Sequence, residues 1–204
     1  KPGAGSRNFP QAAHSAGDGM KTKQELRAEF LARRRAIAPA DAARWSALIQ
    51  SRVVALPELR GHEDVYIYVA ADGEVETRGI IEELLRRGRR VLIPAVRGAG
   101  VLKWGEIESL DELQLGTFGI LEPPATADIG PAPEGVAIVP CVAFTAAGDR
   151  LGRGGGYYDR FLANFAGPTI GLAYEVQRAD VLPTEGHDVA LGRVVTEAEE
   201  SARK

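Results

Sequence analysis

The chain has 204 residues, 45% of them hydrophobic, which is enough for one buried core and argues against extended disorder. Its net charge of −3 and isoelectric point near 5.7 exclude the broad electropositive face of a general nucleic-acid binder. A single cysteine, Cys141, excludes a disulfide framework and any thiolate-rich metal site.

The first 19 residues contain no apolar run and no periodicity, and are read as a tag or disordered extension ahead of one domain over residues 20–204. The longest uncharged apolar stretch, residues 135–148, is interrupted by Pro140 and falls short of the ~20 residues a spanning helix needs. A soluble, cytoplasmic protein is expected, with no membrane or nucleic-acid partner. Residues 21–37 place Leu26, Phe30, Arg33 or Arg34, and Ile37 at helical spacing, with Lys23 and Arg27 four apart on another face. Pro39 ends this helix. A second is expected from a cap at Asp41 to Pro57, with Trp45, Leu48, Ile49, Val53 and Leu56 on one stripe. Residues 64–70 read as a buried strand. Thr77 is the expected cap of a helix carrying Ile80, Ile81, Leu84 and Leu85 inward, and residues 90–96 form the next strand, a β-α-β unit that implies parallel pairing. Residues 101–107 suit a strand and 109–116 a helical turn. The proline- and glycine-rich stretch 116–135 reads as loop. Strands are expected at 136–140, 169–174 and 192–197, with a helix over 157–165. The pattern predicts a three-layer α/β fold, a mostly parallel sheet with helices on both faces, preceded by a helical pair.

Glycine supplies 24 residues, roughly 12% against an average near 7%, and five of them fall between Gly148 and Gly156. The segment Arg150–Leu162, RLGRGGGYYDRFL, lacks the spacing of a dinucleotide fingerprint, because Tyr157 stands where its third glycine would be. It also lacks the Gly-Lys-Ser/Thr end of a P-loop. Its physics resembles both: successive glycines let backbone amides curl around an anion, and Arg150 and Arg153 are suited to phosphate oxygens. The competing reading is a plain surface turn with Asp159 complementing a helix dipole. Of 25 basic residues only five are lysine, and Lys103 alone lies between Lys23 and Lys204, so anion handling falls to arginine, amides and the N-terminal helix. One serine, Ser109, stands between Arg52 and Glu200, and no G-x-S-x-G elbow exists for serine hydrolysis. Cys141 reads as a small buried residue.

The same segment resembles the signature of the 5-formyltetrahydrofolate cyclo-ligase (methenyltetrahydrofolate synthetase) family. The similarity runs through KQELR (23–27), DGEVET (72–77), FGILEP (118–123), IVPCVAF (138–144), GLAYEVQ (171–177) and EGHDV (185–189). It implies an enzyme that uses ATP and Mg²⁺ to convert 5-formyltetrahydrofolate to 5,10-methenyltetrahydrofolate, acting on small molecules as a monomer. By this resemblance Lys23, Arg27 and the loop Arg150, Leu151, Gly152, Arg153, Gly154, Gly155, Gly156, Tyr157 and Tyr158 contact ATP. Val69, Glu74, Phe118 and residues 153–157 contact folate, Arg153 and Tyr157 serve the chemistry, and Asp159 and Asp188 hold the metal. Phe118 has the alternative of packing on the core, Asp188 that of a turn acid, and His187 that of a plain loop residue. Tyr158 is expected to pack inward and Tyr157 to face out. The sequence departs from the family pattern at Thr145 and Gly192, where an acid is frequent, and at Leu121, where proline is usual. Two other readings remain open on the residues alone: a sugar-phosphate isomerase on a similar fold, and a folate- or nucleotide-binding relative without turnover.

Overall fold

The computed structural model of the protein describes residues 21–98, 100–127, 133–198 and 200–202; the expected N-terminal extension lies outside them. Helix α1 (Lys23–Arg35) starts from a capping box, in which Thr22 Oγ1 accepts from the Glu25 N–H and the Glu25 carboxylate accepts from the Thr22 N–H. Helix α2 (Pro39–Ala55) begins two residues earlier than Asp41. Pro39 opens it rather than only closing α1, because a proline at the first helical position has no N–H to leave unpaired. Strand β1 (Asp64–Ile67) leads through a turn to α3 (Arg78–Arg86) and β2 (Arg90–Val96). Thr77 precedes α3 without capping it. Its hydroxyl instead donates to the Tyr68 carbonyl at 2.8 Å and accepts from the Ala70 N–H at 3.3 Å, closing the end of β1.

Strand β3 (Leu102–Ile107) returns antiparallel to β2. The stretch read as loop contains a small antiparallel ribbon, β4 (Gln114–Leu115) with β5 (Leu121–Glu122), around a turn at residues 117–119. Strand β6 (Val136–Pro140) precedes a second ribbon, β7 (Ala143–Phe144) with β8 (Arg150–Leu151), that delivers the chain into the glycine loop. Helix α4 (Tyr157–Leu162) is shorter than expected. Strands β9 (Thr169–Leu172) and β10 (Arg193–Val195) continue the sheet, and β11 (Glu200–Ala202) adds an antiparallel edge that the sequence pattern did not show. The sheet order is β11-β10-β9-β6-β1-β2-β3, with parallel pairing from β10 through β2.

Strand alternation explains the layers. Val65, Ile67, Val91, Ile93, Val136 and Ile138 face a core shared with Ile49 and Val53 of α2 and Ile80, Ile81 and Leu84 of α3. The intervening Tyr66, Leu92, Ala137 and Val139 face the opposite side, where Leu162 and Phe161 of α4 pack. There the rings of Tyr66, Trp104, Phe161 and Phe165 form a chain of contacts with centroids 4.6–5.5 Å apart, which seats α4 against the sheet. Helix α1 uses neither face. Its Leu26 and Phe30 pack with Val142, Ala143, Leu151 and Leu182 at the carboxyl end of the sheet. This places the helix beside the point where successive strands depart to opposite sides of β1, the usual ligand position in open α/β sheets. No helix among the described residues is long and apolar enough to cross a membrane.

Candidate active site

A cavity of about 880 Å³ opens at the carboxyl ends of β1, β2 and β6, and every candidate ATP, folate and metal contact, from Lys23 to Asp188, lines it. A smaller adjoining hollow is bounded by Gly154–Gly156, Asp159 and Asp188. Folding thus gathers three distant stretches, the start of α1, the turn after β1 and the glycine loop, around one space.

The glycine loop is shaped by two left-handed residues. Gly154 has φ +99°, and a side chain there would press on the Arg27 guanidinium, 3.3 Å away. Gly156 has φ +65° and caps α4. Both conformations are open to glycine and strained for other residues. Arg27 reaches across from α1 to donate from Nε to the Gly152 carbonyl at 2.9 Å. Arg160, in the next turn of α4, donates to the Gly155 carbonyl and, at 2.7 Å, to the Gly100 carbonyl. It ties the loop to the turn between β2 and β3, where Gly100 (φ +76°) lies under its guanidinium. The sequence reading missed this role, although a cation four residues after the last glycine was a usable signal.

Three ion pairs organise the charges. Arg153 Nε and Nη2 lie 3.1 and 3.0 Å from Glu74 Oε1, and Nη2 also donates to the Ala71 carbonyl, so the glycine loop is bridged to the turn after β1. Lys23 Nζ lies 2.6 Å from Asp188 Oδ2 and 3.3 Å from Glu185 Oε1. Arg150 Nη2 lies 2.7 Å from Asp159 Oδ1. The structure thus places the Arg150 side chain, expected to contact ATP, against Asp159. That side chain is 2% exposed, also donates to the Pro140 carbonyl, and forms the floor beneath the loop. The reason is position: as the first residue of β8 it points under the ribbon, whereas Arg153 stands on the glycine turn and remains 43% exposed.

The other walls follow the pattern more closely. Val69 is buried at the exit of β1. Phe118 is 75% exposed with φ +59°, so it overhangs the cavity and does not pack on the core. Its turn is held by the buried Glu122 carboxylate, which accepts from the Thr117 and Val96 N–H groups and pairs with Arg97 at 2.6 Å. Tyr158 packs inward against both main core clusters, and burial pushes its phenol above the ordinary range; Tyr157 lies half-buried at the loop. His187 is an exposed loop side chain beside Glu185. Thr145 is buried, its hydroxyl donating to Asp149 at 2.9 Å, and Gly192 donates its N–H to Thr169 Oγ1 at 2.8 Å, so these two of the three departures from the family pattern sit in satisfied surroundings.

Cys141 is buried, and desolvation pushes its thiol up to about 12. The native protein is therefore expected to resist alkylation by iodoacetamide at pH 8 and to be labelled fully in denaturant, as intact mass would show.

The Lys23–Asp188 pair carries a pH signature. Burial pushes the Asp188 carboxyl up, but Lys23 and the Glu185 N–H outweigh it and hold it below its ordinary 3.8. Burial likewise lowers Lys23, and Asp188 and Glu185 outweigh it, leaving its pKa above 10.5. The contribution of the pair is thus present above the unfolded carboxyl value and lost as pH falls through the depressed one. On the alkaline side it persists below the unfolded lysine value and is lost as pH rises through the elevated one. Melting temperatures followed by circular dichroism from about pH 5 to about pH 2.5 should fall less steeply for Asp188→Asn than for the parent.

The sequence matches the 5-formyltetrahydrofolate cyclo-ligase family over residues 19–197. The chain belongs to this family. Among its curated relatives, 5-formyltetrahydrofolate cyclo-ligase of Escherichia coli strain K12 is 34% identical over 171 residues, covering 80% of this chain and 94% of the relative. The enzyme of that name from Mycolicibacterium smegmatis is 33% identical over 187 residues, covering 86% and 94%. The solved structure of Aquifex aeolicus 5,10-methenyltetrahydrofolate synthetase superposes with a TM-score of 0.78 at 31% identity, over 89% of this chain and 93% of the other. A synthetase from Mycoplasma pneumoniae, at 24% identity and a TM-score of 0.69, shows the same fold over 87% of this chain and 99% of its own. The cyclo-ligase family match spans all three stretches that meet at the cavity, so the glycine loop, the Glu74 turn and the start of α1 belong to one enzyme domain type.

Proposed function

We propose that this protein is a 5-formyltetrahydrofolate cyclo-ligase that uses ATP and Mg²⁺ to produce 5,10-methenyltetrahydrofolate, ADP and phosphate. The observation that carries the reading is the arrangement of one cavity, with the glycine loop and the cations of α1 on one wall and Glu74 and Phe118 on another. ATP is needed because the formyl group is an amide whose oxygen leaves poorly. The formyl oxygen attacks the γ-phosphorus as the bond to ADP breaks. Nitrogen 10 then attacks the formyl carbon, phosphate departs with the oxygen, and the nitrogen 10 proton is lost. The substrate supplies both nucleophiles, so the protein's task is alignment and charge neutralisation. Arg153 meets the transferring phosphoryl group, Lys23 and Arg27 meet the other phosphate oxygens, and the amides of residues 152–156 line the anion's path. Tyr157 offers its hydroxyl at the loop. Glu74 accepts from the pterin N–H groups, beside Val69 and beneath Phe118.

The carboxylates fit a metal that brings most of its own ligands. Among the described residues no three His, Cys, Asp or Glu side chains gather as a protein cage. Asp159 and Asp188 border the same small hollow; Asp159 pairs through Oδ1 with Arg150, and Asp188 through Oδ2 with Lys23, its Oδ1 lying 3.9 Å from His187 Nε2. Two such carboxylates suit Mg²⁺ that retains waters and phosphate oxygens. When bound, the ion would neutralise phosphate charge.

An isomerase would need a free base over its substrate. Here Glu74, Asp159 and Asp188 are each ion-paired and burial pushes the Cys141 thiol up to about 12, whereas His187, 71% exposed, stands at the cavity as an available base, so activity separates the two readings. The test is absorbance at the methenyl product band with 5-formyltetrahydrofolate, ATP and Mg²⁺, each omitted in turn. Product that requires all three is expected. Ligand binding without ATP-dependent product would replace the ligase reading with a binding relative.

A further inference from the structure

A charge lies buried behind the folate wall that the reaction above does not use. Arg34, in the last turn of α1, has a side chain only 1% exposed. Its Nη2 donates to the Asp72 carbonyl at 2.8 Å and lies 3.5 Å from the Asp72 carboxylate, while Nε and Nη1 are buried without a hydrogen-bond partner. Neighbouring Arg33 and Arg35 are solvent-exposed, so complementing the helix dipole does not explain why one arginine is buried. The segment it grips is a tight turn. Asp72 has φ +50° and Gly73 φ +74°, two left-handed residues in succession, a geometry that few residues besides aspartate, asparagine and glycine adopt. Asp72 is met from three sides, by Arg34, by Arg35 at 3.2 Å and by Arg153 at 3.6 Å. The residue that follows the turn is Glu74, whose Oε2 accepts the Ala71 N–H and whose Oε1 accepts from Arg153. Along α1, Lys23, Arg27, Phe30 and Arg34 fall on one stripe. The same helix face therefore holds Asp188 and the Gly152 carbonyl with its first turns and the Asp72 turn with its last.

We propose that Arg34 is a positioning residue, whose buried guanidinium clamps the Asp72–Gly73 turn to α1 and thereby fixes the Glu74 carboxylate at the folate wall. The inference rests on the reading of the cavity as a folate site, and the experiment separates the two. Steady-state kinetics of the full chain, with ATP and 5-formyltetrahydrofolate varied in turn, are compared for the parent, Arg34→Gln and Arg34→Lys. If the parent makes no ATP-dependent product, the functional reading fails. With an active parent, Arg34→Gln is expected to raise KM for 5-formyltetrahydrofolate about tenfold while KM for ATP and kcat change less than about twofold, because Lys23 and Arg27 stay docked. Arg34→Lys should recover part of the loss, since an ammonium can still donate to the Asp72 carbonyl. An unchanged folate KM, or parallel rises in both KM values with a lowered melting temperature that lysine does not restore, would overturn the role. Should Arg34→Gln fail to fold, Asp72→Asn decides by the same readout. Asparagine tolerates the left-handed turn while removing the charge that three arginines meet. A folate KM raised about threefold supports the clamp, and an unchanged one rejects it.

Discussion

Arg153→Ala is expected to lower kcat/KM for the ATP-dependent reaction by a factor of about 10² to 10³ while leaving the melting temperature within about 2 °C of the parent. The first half follows from charge. A guanidinium on the glycine turn is the cation best placed to meet the anion that develops during phosphoryl transfer, and loss of one such stabilising group costs about 3–4 kcal/mol of barrier. The second half follows from exposure. Arg153 is 43% exposed, and although Glu74 is only 8% exposed its carboxylate keeps the Ala71 N–H when the guanidinium is removed, so the loss to folding is about 1 kcal/mol. Steady-state kinetics and thermal melts on the same preparation check both halves. A variant that loses stability and activity together would instead mark the Arg153–Glu74 bridge as structural.

The opposite balance is expected at Asp159. Its partner Arg150 is 2% exposed, and removing the carboxylate strands a guanidinium that already carries an unpartnered buried Nε. Breaking a buried pair from one side costs about 3–5 kcal/mol; Asp159 retains some solvent contact, which favours the lower end. Asp159→Ala is therefore expected to unfold about 6–12 °C below the parent, at roughly 2–4 °C per kcal/mol for a chain of this size. The milder Asp159→Asn keeps an acceptor for Arg150 and tests the metal role separately. A raised Mg²⁺ concentration for half-maximal activity is the expected result, and an unchanged titration would leave Asp159 as the counter-charge of Arg150 alone.

These two arginines, three residues apart in one glycine-rich segment, show where sequence reasoning stops. Both read as phosphate ligands, since composition and spacing are the same for each. Only the direction in which β8 presents Arg150 separates a buried residue beneath the loop from one that stands exposed on the glycine turn. Arg34 shows the same limit, because helical spacing puts Arg33 or Arg34 on the stripe of Leu26 and Phe30 without deciding which of the two is buried. Phe118 shows another: whether a loop aromatic packs or overhangs depends on a left-handed turn held by Glu122 and Arg97.

The amino-acid sequence by itself determined the order of the main helices and strands, the buried character of strands such as residues 64–67, and the glycine loop with its flanking cations. These are local properties, written in propensities and periods over a few neighbouring residues. Composition had likewise narrowed the chemistry, since a mildly acidic chain poor in lysine had to meet anions with arginine and amides. Tertiary structure alone decided which charges pair. Arg153 meets Glu74 across 79 residues of chain and Lys23 meets Asp188 across 165. No local rule specifies such partners, because ion pairing depends on distance in space, and that distance was set only when the sheet brought its carboxyl ends and α1 to one cavity.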